Sequence, residues 1–135
     1  MTGSSSIAAK EIIMVSDDGG KTGLGIYVLK GSNSTLIFNI QAVGAGNCID
    51  DDNKMNVLFK DGTRLEFKNN GKFNCDAEFT LYFGGSYGKR QELQSFIKKE
   101  VETIRIWTSK SYVEKDFTNK QSQQLMKTIQ CLIHN

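Results

Sequence analysis

The sequence predicts an α+β fold in which about eight mostly antiparallel strands form a bent sheet or partly open barrel. Apolar residues recur at every second position in several short segments, as in strands with one buried face. Toward the C-terminus the spacing becomes helical, which predicts one short helix before the last hairpin and an amphipathic helix that closes the sheet. Proline is absent and glycine is frequent, a balance typical of short strands joined by turns.

The clearest segment is a hairpin at residues 55–67, whose register follows from the positions of its apolar residues. A two-residue turn at Asp61-Gly62 would divide the apolar residues between the two faces. A three-residue loop, 60–62, places them all on one face and needs a left-handed backbone at Gly62, which glycine adopts readily. We therefore predict that Met55 pairs with Phe67, Val57 with Leu65 and Phe59 with Thr63.

The remaining strands follow from the same alternation. We predict a loose lead-in at residues 1–8 and one β-rich domain over 9–135, with strands at 11–16, 24–30 and 35–43. Phe73, Cys75, Ala77, Phe79, Leu81 and Phe83 fall on every second position and predict one long strand with an apolar face.

The C-terminal third adds the helices. Residues 89–99 predict a short helix, and a last hairpin at 103–108 and 112–117 places Ile106 opposite Val113. Thr118 and Gln121 have the spacing of a capping box, which predicts a helix at 119–134. This order of elements is analogous to that of pleckstrin-homology-like barrels, in which a helix follows the last strand.

Three cysteines, Cys48, Cys75 and Cys131, match neither a dense disulfide framework nor a zinc pattern. One disulfide remains open as an alternative if the protein is exported. The alternation places Cys75 in the core, and helical spacing places Cys131 on the polar side of the last helix. From these positions we predict a reduced protein.

Charge and patterning exclude several classes of function. A net charge of +2 argues against a nucleic-acid partner, and no apolar run approaches the length of a membrane span. The N-terminus lacks a signal peptide, which predicts a cytoplasmic protein unless it is the start of a mature exported chain. The compartment and the oligomeric state therefore stay open.

No motif predicts a catalytic residue, a cofactor or a metal. Residues 19–22 resemble the end of a phosphate-binding loop but join two strands, so we interpret them as a hairpin turn. The acidic run at 50–52 lacks the other calcium ligands and predicts a solvated loop. Glu66 and Glu78, which alternation places on neighbouring strands, have nothing to bring them into one pocket, and we do not expect an enzyme.

The best candidate binding surface lies on the last hairpin. There Trp107 is expected opposite Tyr112, and Arg105 opposite Glu114, on the face away from Ile106. Aromatic residues beside an arginine are enriched at binding hot spots, and such a face could contact a protein, a peptide or a sugar. The alternative is that the short helix or the N-terminal loops cover these aromatic residues as a second small core.

The sequence thus predicts a non-enzymatic binding or interaction module of otherwise unknown function. Two alternatives stay open. A small apolar-ligand carrier would need a cavity inside the barrel, and a membrane-surface or anion-binding adaptor would need its basic residues, such as Lys60, Arg64, Lys68 and Lys72, on one face.

Several short runs also suggest a relationship: FKDGT at 59–63, NC at 74–75, IRIWTSKSYVEKDF at 104–117 and CL at 131–132. With these runs the chain resembles small β-rich bacterial proteins of unknown function. The resemblance implies a bacterial origin, and it carries no functional residues over to this chain.

Overall fold

The computed structural model describes residues 7–8, 12–16, 18–31, 35–44 and 48–134. The strands are β1 (Ile7–Ala8), β2 (Ile13–Val15), β3 (Gly23–Lys30), β4 (Leu36–Val43), β5 (Lys54–Phe59), β6 (Arg64–Lys68), β7 (Glu78–Phe83), β8 (Val101–Trp107) and β9 (Tyr112–Asp116). A 3-10 turn at Gly85–Tyr87 precedes helix α1 (Arg90–Lys98), and helix α2 (Asn119–His134) follows β9. Residues 1–6 of the predicted lead-in and residue 11 of the predicted first strand lie outside the described residues.

The strands form two antiparallel sheets. In the five-stranded sheet, β1 and β2 both pair with β3, which is followed by β4 and β7; the four-stranded sheet has the order β6-β5-β8-β9. Because β1 and β2 occupy successive parts of one edge, nine strands fill eight strand positions. Each sheet ends in edge strands rather than closing into a barrel. The predicted α+β class, with its open sheet and C-terminal helix, is confirmed.

One side chain of α1 joins the two sheets. The ring centroid of Phe96 lies 5.0 Å from that of Phe38 and 5.9 Å from that of Phe83, both on the five-stranded sheet. It also lies 5.3 Å from Phe59 and 6.0 Å from Phe67 on the four-stranded sheet. Edge-to-face and tilted contacts at these separations are favourable beyond the apolar area that they bury. We call these five residues the phenylalanine cluster.

The predicted hairpin register is confirmed. Met55 pairs with Phe67 and Val57 with Leu65, and the amide of Phe59 donates to the carbonyl of Thr63 at 2.9 Å. Gly62 has a φ of 92°, the left-handed conformation that the three-residue loop requires. The apolar residues of this hairpin therefore face the core together.

Helix α2 begins with the predicted capping box. The Thr118 amide donates to Gln121 Oε1 at 2.9 Å, and the Gln121 amide donates to Thr118 Oγ1 at 3.2 Å. Its buried residues are Ser122, Leu125, Ile129 and Leu132. The helix packs on α1 and contacts β2, β3 and β8, so it spans both sheets.

The predicted long strand at 73–83 is wrong in its first half. Only Glu78–Phe83 is a strand, and Phe73 is 66% exposed. The Asn74 carboxamide oxygen accepts hydrogen bonds at 3.0 Å from the amides of both Asp76 and Glu78, and Ala77 has a φ of 57°. These side-chain-to-backbone bonds turn the chain where a strand would continue.

The predictions for two cysteines are also wrong. Cys75 is exposed rather than in the core, and it forms a disulfide with Cys48, so the protein is not fully reduced. Cys131 is exposed on α2, as its helical position predicts, and lies outside this disulfide.

Replacement of Phe96 tests the phenylalanine cluster. Phe96 is 1% exposed, and Phe96→Ala should lower the free energy of unfolding by about 3–5 kcal/mol because it leaves a cavity among four other rings. Urea denaturation measures this loss. Phe73→Ala is the matched control and should change the free energy of unfolding by less than about 0.5 kcal/mol. Equal effects of the two variants would contradict the proposed role of Phe96.

The Asp61 carboxylate makes stability depend on pH. Hydrogen bonds from the amide and the hydroxyl of Thr63, together with Lys99 at 3.1 Å, lower the pKa of Asp61 from 3.8 to about 2. Because this pKa is lower in the folded state, its stabilising contribution is present above pH 3.8 and is lost as the pH falls toward 2.

We therefore expect Asp61→Asn to unfold with a flatter pH dependence than the wild type between about pH 4 and pH 2. Asp18, whose pKa hydrogen bonds from Thr22 also lower to about 2, should behave in the same way. Thermal melts across this range measure the slope. An unchanged slope in the Asp18→Asn, Asp61→Asn double variant would contradict the assignment.

Candidate functional site

The four-stranded sheet has one face in the core and one face directed away from it. Met55, Val57, Ile104 and Ile106 are at most 2% exposed and point inward. Their strand neighbours point the other way, because successive side chains alternate between the faces of a sheet. We call this second face the outer face; it carries Lys54, Asn56, Leu58, Arg64, Glu66, Lys68, Thr103, Arg105, Trp107, Tyr112, Glu114 and Asp116.

Two aromatic side chains lie side by side at one end of the outer face. Trp107 on β8 pairs with Tyr112 on β9, and their ring centroids are 4.9 Å apart at an interplanar angle of 52°. Tyr112 is 46% exposed, whereas Trp107 is partly buried. We call this pair the aromatic platform. Since Phe96 of α1 packs into the core on the opposite side of the sheet, α1 does not cover the platform.

Arg105 connects the platform to the rest of the outer face. Its guanidinium carbon lies 5.3 Å from the Trp107 ring centroid and 4.6 Å from that of Tyr112, within cation–π range. Its Nε and Nη2 atoms both lie 2.7 Å from Oε1 of Glu114, the residue opposite on β9. The predicted cross-strand pairs of the last hairpin are therefore confirmed.

A row of polar side chains crosses all four strands beside the platform. The register aligns Glu66, Asn56, Arg105 and Glu114 in that order. Asn56 joins the row to the platform, because its Oδ1 accepts from Trp107 Nε1 at 2.8 Å and its Nδ2 donates to Glu66 at 3.2 Å. These bonds fix the orientation of the indole.

The polar row forms the floor of a groove with a volume of about 490 Å³. The groove lining includes Asn56, Leu58, Arg64, Glu66, Thr103, Arg105 and Glu114. It contains two cations and two anions, so the groove offers hydrogen-bond donors and acceptors without a net charge. Such a surface is suited to a ligand with both polar groups and apolar faces.

The platform sits on a hairpin whose tip is attached to the disulfide. The Ser109 amide donates to the Cys48 carbonyl at 3.0 Å, and the Cys48 amide donates to Ser109 Oγ at 3.3 Å. Next to Cys48, Ile49 exchanges two backbone hydrogen bonds with Asn74. The disulfide between Cys48 and Cys75 thus links two loops and, through Ser109, the hairpin that carries the platform.

The structure brings the four predicted site residues together and adds neighbours that the sequence did not identify. Arg105 contacts Trp107, Tyr112 and Glu114, and the two rings contact each other. The role of these four residues in binding stays a prediction. Asn56 and Glu66 were not predicted as part of this surface. Their outward positions follow from the alternation, but their approach to β8 does not.

The other acidic residues considered as candidate sites lie on different sheets or form part of a turn. The structure places Glu66 and Glu78 on different sheets, so the expectation that they lie on neighbouring strands is wrong. The carboxylates of residues 50–52 lie within 4.8 Å of one another, and Oδ1 of Asp50 accepts from the amides of Asp52 and Asn53 as in a turn. Within the described residues no helix has the length and apolar character needed to cross a bilayer.

Loss of the disulfide should destabilise the protein. It closes a loop of 27 residues, for which chain-entropy arguments give a stabilisation of about 3–4 kcal/mol. We expect reductant to lower the free energy of unfolding by about this amount in the wild type and in Cys131→Ser, and to have little effect in Cys48→Ser. Titration of thiols in the denatured, unreduced wild type should find one; finding three would contradict the disulfide.

Comparisons with known proteins do not indicate a function for this chain. A scan against protein-family models and searches of curated proteins and of solved structures each find no match. The resemblance to bacterial proteins, and the origin that it implies, therefore gain no support from these comparisons.

Proposed function

We propose that this chain is a non-enzymatic binding module whose ligand lies on the outer face of the four-stranded sheet. One observation carries the proposal: the exposed aromatic platform adjoins the groove, and Arg105 contacts the platform and lines the groove. Rigid aromatic side chains lose little entropy on meeting a ligand, which makes Trp107 and Tyr112 suitable contact residues.

The charged groups of the groove support binding rather than catalysis. Glu114 is paired with Arg105, and Glu66 lies 3.5 Å from Lys54 and accepts a hydrogen bond from Asn56. Both carboxylates are thus engaged by side chains of the sheet itself, which suits a role in holding the surface in place.

The alternative functions find less support in the structure. The side chains of the phenylalanine cluster occupy the space between the sheets in which a small apolar-ligand carrier would need its cavity. Of the basic residues named for an anionic surface, Lys60 lies 2.8 Å from Glu100, and Arg64 shares the groove with Glu66 and Glu114. Acidic neighbours of this kind reduce the attraction of a basic surface to an anionic membrane.

The disulfide supports a location outside a reducing cytosol. Bonds of this kind persist mainly in exported proteins and in oxidising compartments. We infer that the module works in such a compartment, where a ligand outside the cytosol is accessible to it.

Two exposed tyrosines on different sides of the protein allow a matched test. Tyr112 is 46% exposed on the platform, and Tyr87 is 48% exposed beside β7, where it stacks on Tyr82 at 4.7 Å. We expect Tyr112→Ala to weaken binding to any oligosaccharide or peptide that the wild type retains from immobilised panels by about 10- to 30-fold, the cost of removing a hot-spot aromatic. Tyr87→Ala should change this affinity by less than about twofold. Equal losses in the two variants, or no retention from either panel, would contradict the proposal.

A further inference from the structure

We propose that the ligand of the outer face is a neutral oligosaccharide, built from β-linked rings whose hydroxyl groups are equatorial. This inference rests on the proposed function and names the chemical class of the ligand. Three features of the outer face point to this class of ligand: the aromatic platform, the unused polar atoms of the groove and the balance of charge.

The platform suits the faces of such sugar rings. When all hydroxyl groups of a pyranose are equatorial, the axial bonds on both faces are C–H bonds, so each face is flat and apolar. Arg105 lies over both rings, and the ring surface that it leaves uncovered carries the negative part of the aromatic quadrupole, which attracts the weakly positive hydrogens of these C–H bonds. The exposure of Tyr112, at 46%, leaves ring surface for this contact.

The groove beside the platform holds a donor and an acceptor that are ready for a hydroxyl group. The contacts between Arg105 and Glu114 use Nε and Nη2 of the arginine and only Oε1 of the glutamate. Within the described part of the chain, Arg105 Nη1 and Glu114 Oε2 make no hydrogen bond or ion pair. A hydroxyl group can both donate and accept hydrogen bonds, so separate hydroxyl groups of one sugar can accept from Arg105 Nη1 and donate to Glu114 Oε2.

The charge balance favours a neutral sugar over an ionic ligand. A carboxylate or phosphate placed beside Arg105 would also meet Glu114, and a cation placed beside Glu114 would meet Arg105. Each case brings like charges together in a groove that holds two cations and two anions. Neutral hydroxyl groups avoid this repulsion.

The open shape favours an extended chain. The polar row crosses four strands, which at about 4.8 Å per strand spacing is roughly 14 Å from Glu66 to Glu114. An extended β-linked oligosaccharide can follow this row from the platform side, whereas α-linked chains of the same rings curl away from a flat surface. We therefore name cellohexaose as the probe and maltohexaose as its α-linked counterpart.

The test measures binding of four probes by calorimetry and by the fluorescence of the single tryptophan, Trp107. The probes are cellohexaose, maltohexaose, an oligogalacturonate of six residues as the acidic sugar, and an uncharged hexapeptide. We expect saturable binding of cellohexaose that falls at least tenfold in Tyr112→Ala and less than twofold in Tyr87→Ala. Glu114→Gln should weaken the binding of cellohexaose and strengthen the binding of the oligogalacturonate, because Arg105 loses its counterion. Melting temperatures show that each variant is folded.

The outcomes separate this inference from the proposed function. If the hexapeptide or the oligogalacturonate binds in a Tyr112-dependent manner and cellohexaose does not, the binding surface stands and the neutral-sugar inference is wrong. If cellohexaose binds but loses affinity in Tyr87→Ala rather than in Tyr112→Ala, both are wrong. If none of the probes binds the folded wild type, the neutral-sugar inference is overturned. Binding of cellohexaose and maltohexaose with equal affinity would contradict the preference for an extended chain.

Discussion

The contact of Phe96 with four phenylalanines from both sheets is the interaction on which the rest of the structure depends. The sheets do not close into a barrel, so no continuous strand pairing holds them together, and buried side chains must do so. Met55, Val57 and Ile106 face this core. Because successive strand residues alternate between the two faces of a sheet, their neighbours must point away from it. Asn56, Arg105 and Trp107 point outward for that reason, and the proposed binding surface is a consequence of how the core is packed.

Two further constraints fix the positions of the side chains on the outer face. The antiparallel register aligns Glu66, Asn56, Arg105 and Glu114 across four strands, where hydrogen bonds and an ion pair connect them. The hairpin tip is held through Ser109 by the loop that contains the disulfide. A surface whose side chains are already oriented loses less entropy on binding than a mobile one. The same contacts that stabilise the sheet therefore orient the side chains of the proposed binding surface.

Local patterns of the sequence predict much of this fold, and contacts between distant segments account for what they miss. The glycine-bulge hairpin, the Trp107–Tyr112 pair and the capping box each depend on residues close in sequence, and all three are confirmed. The strand that alternation predicts at Phe73 and Cys75 is wrong, because an alternating pattern carries no information on the hydrogen bonds of Asn74 or on the covalent bond to Cys48. Asn56 and Trp107 are 51 positions apart, so only the pairing of β5 with β8 reveals their hydrogen bond.

The most direct test of the account is to map the amide signals of the isotope-labelled protein during a titration with cellohexaose. The account predicts that shifts concentrate on β5, β8 and β9 around Asn56, Arg105 and Tyr112, and that the indole N–H signal of Trp107 moves with them. Amides of the five-stranded sheet should stay unchanged. Shifts centred on β3, β4 or β7, or a spectrum that cellohexaose leaves unaltered, would contradict the claim that the outer face of the four-stranded sheet binds a neutral sugar.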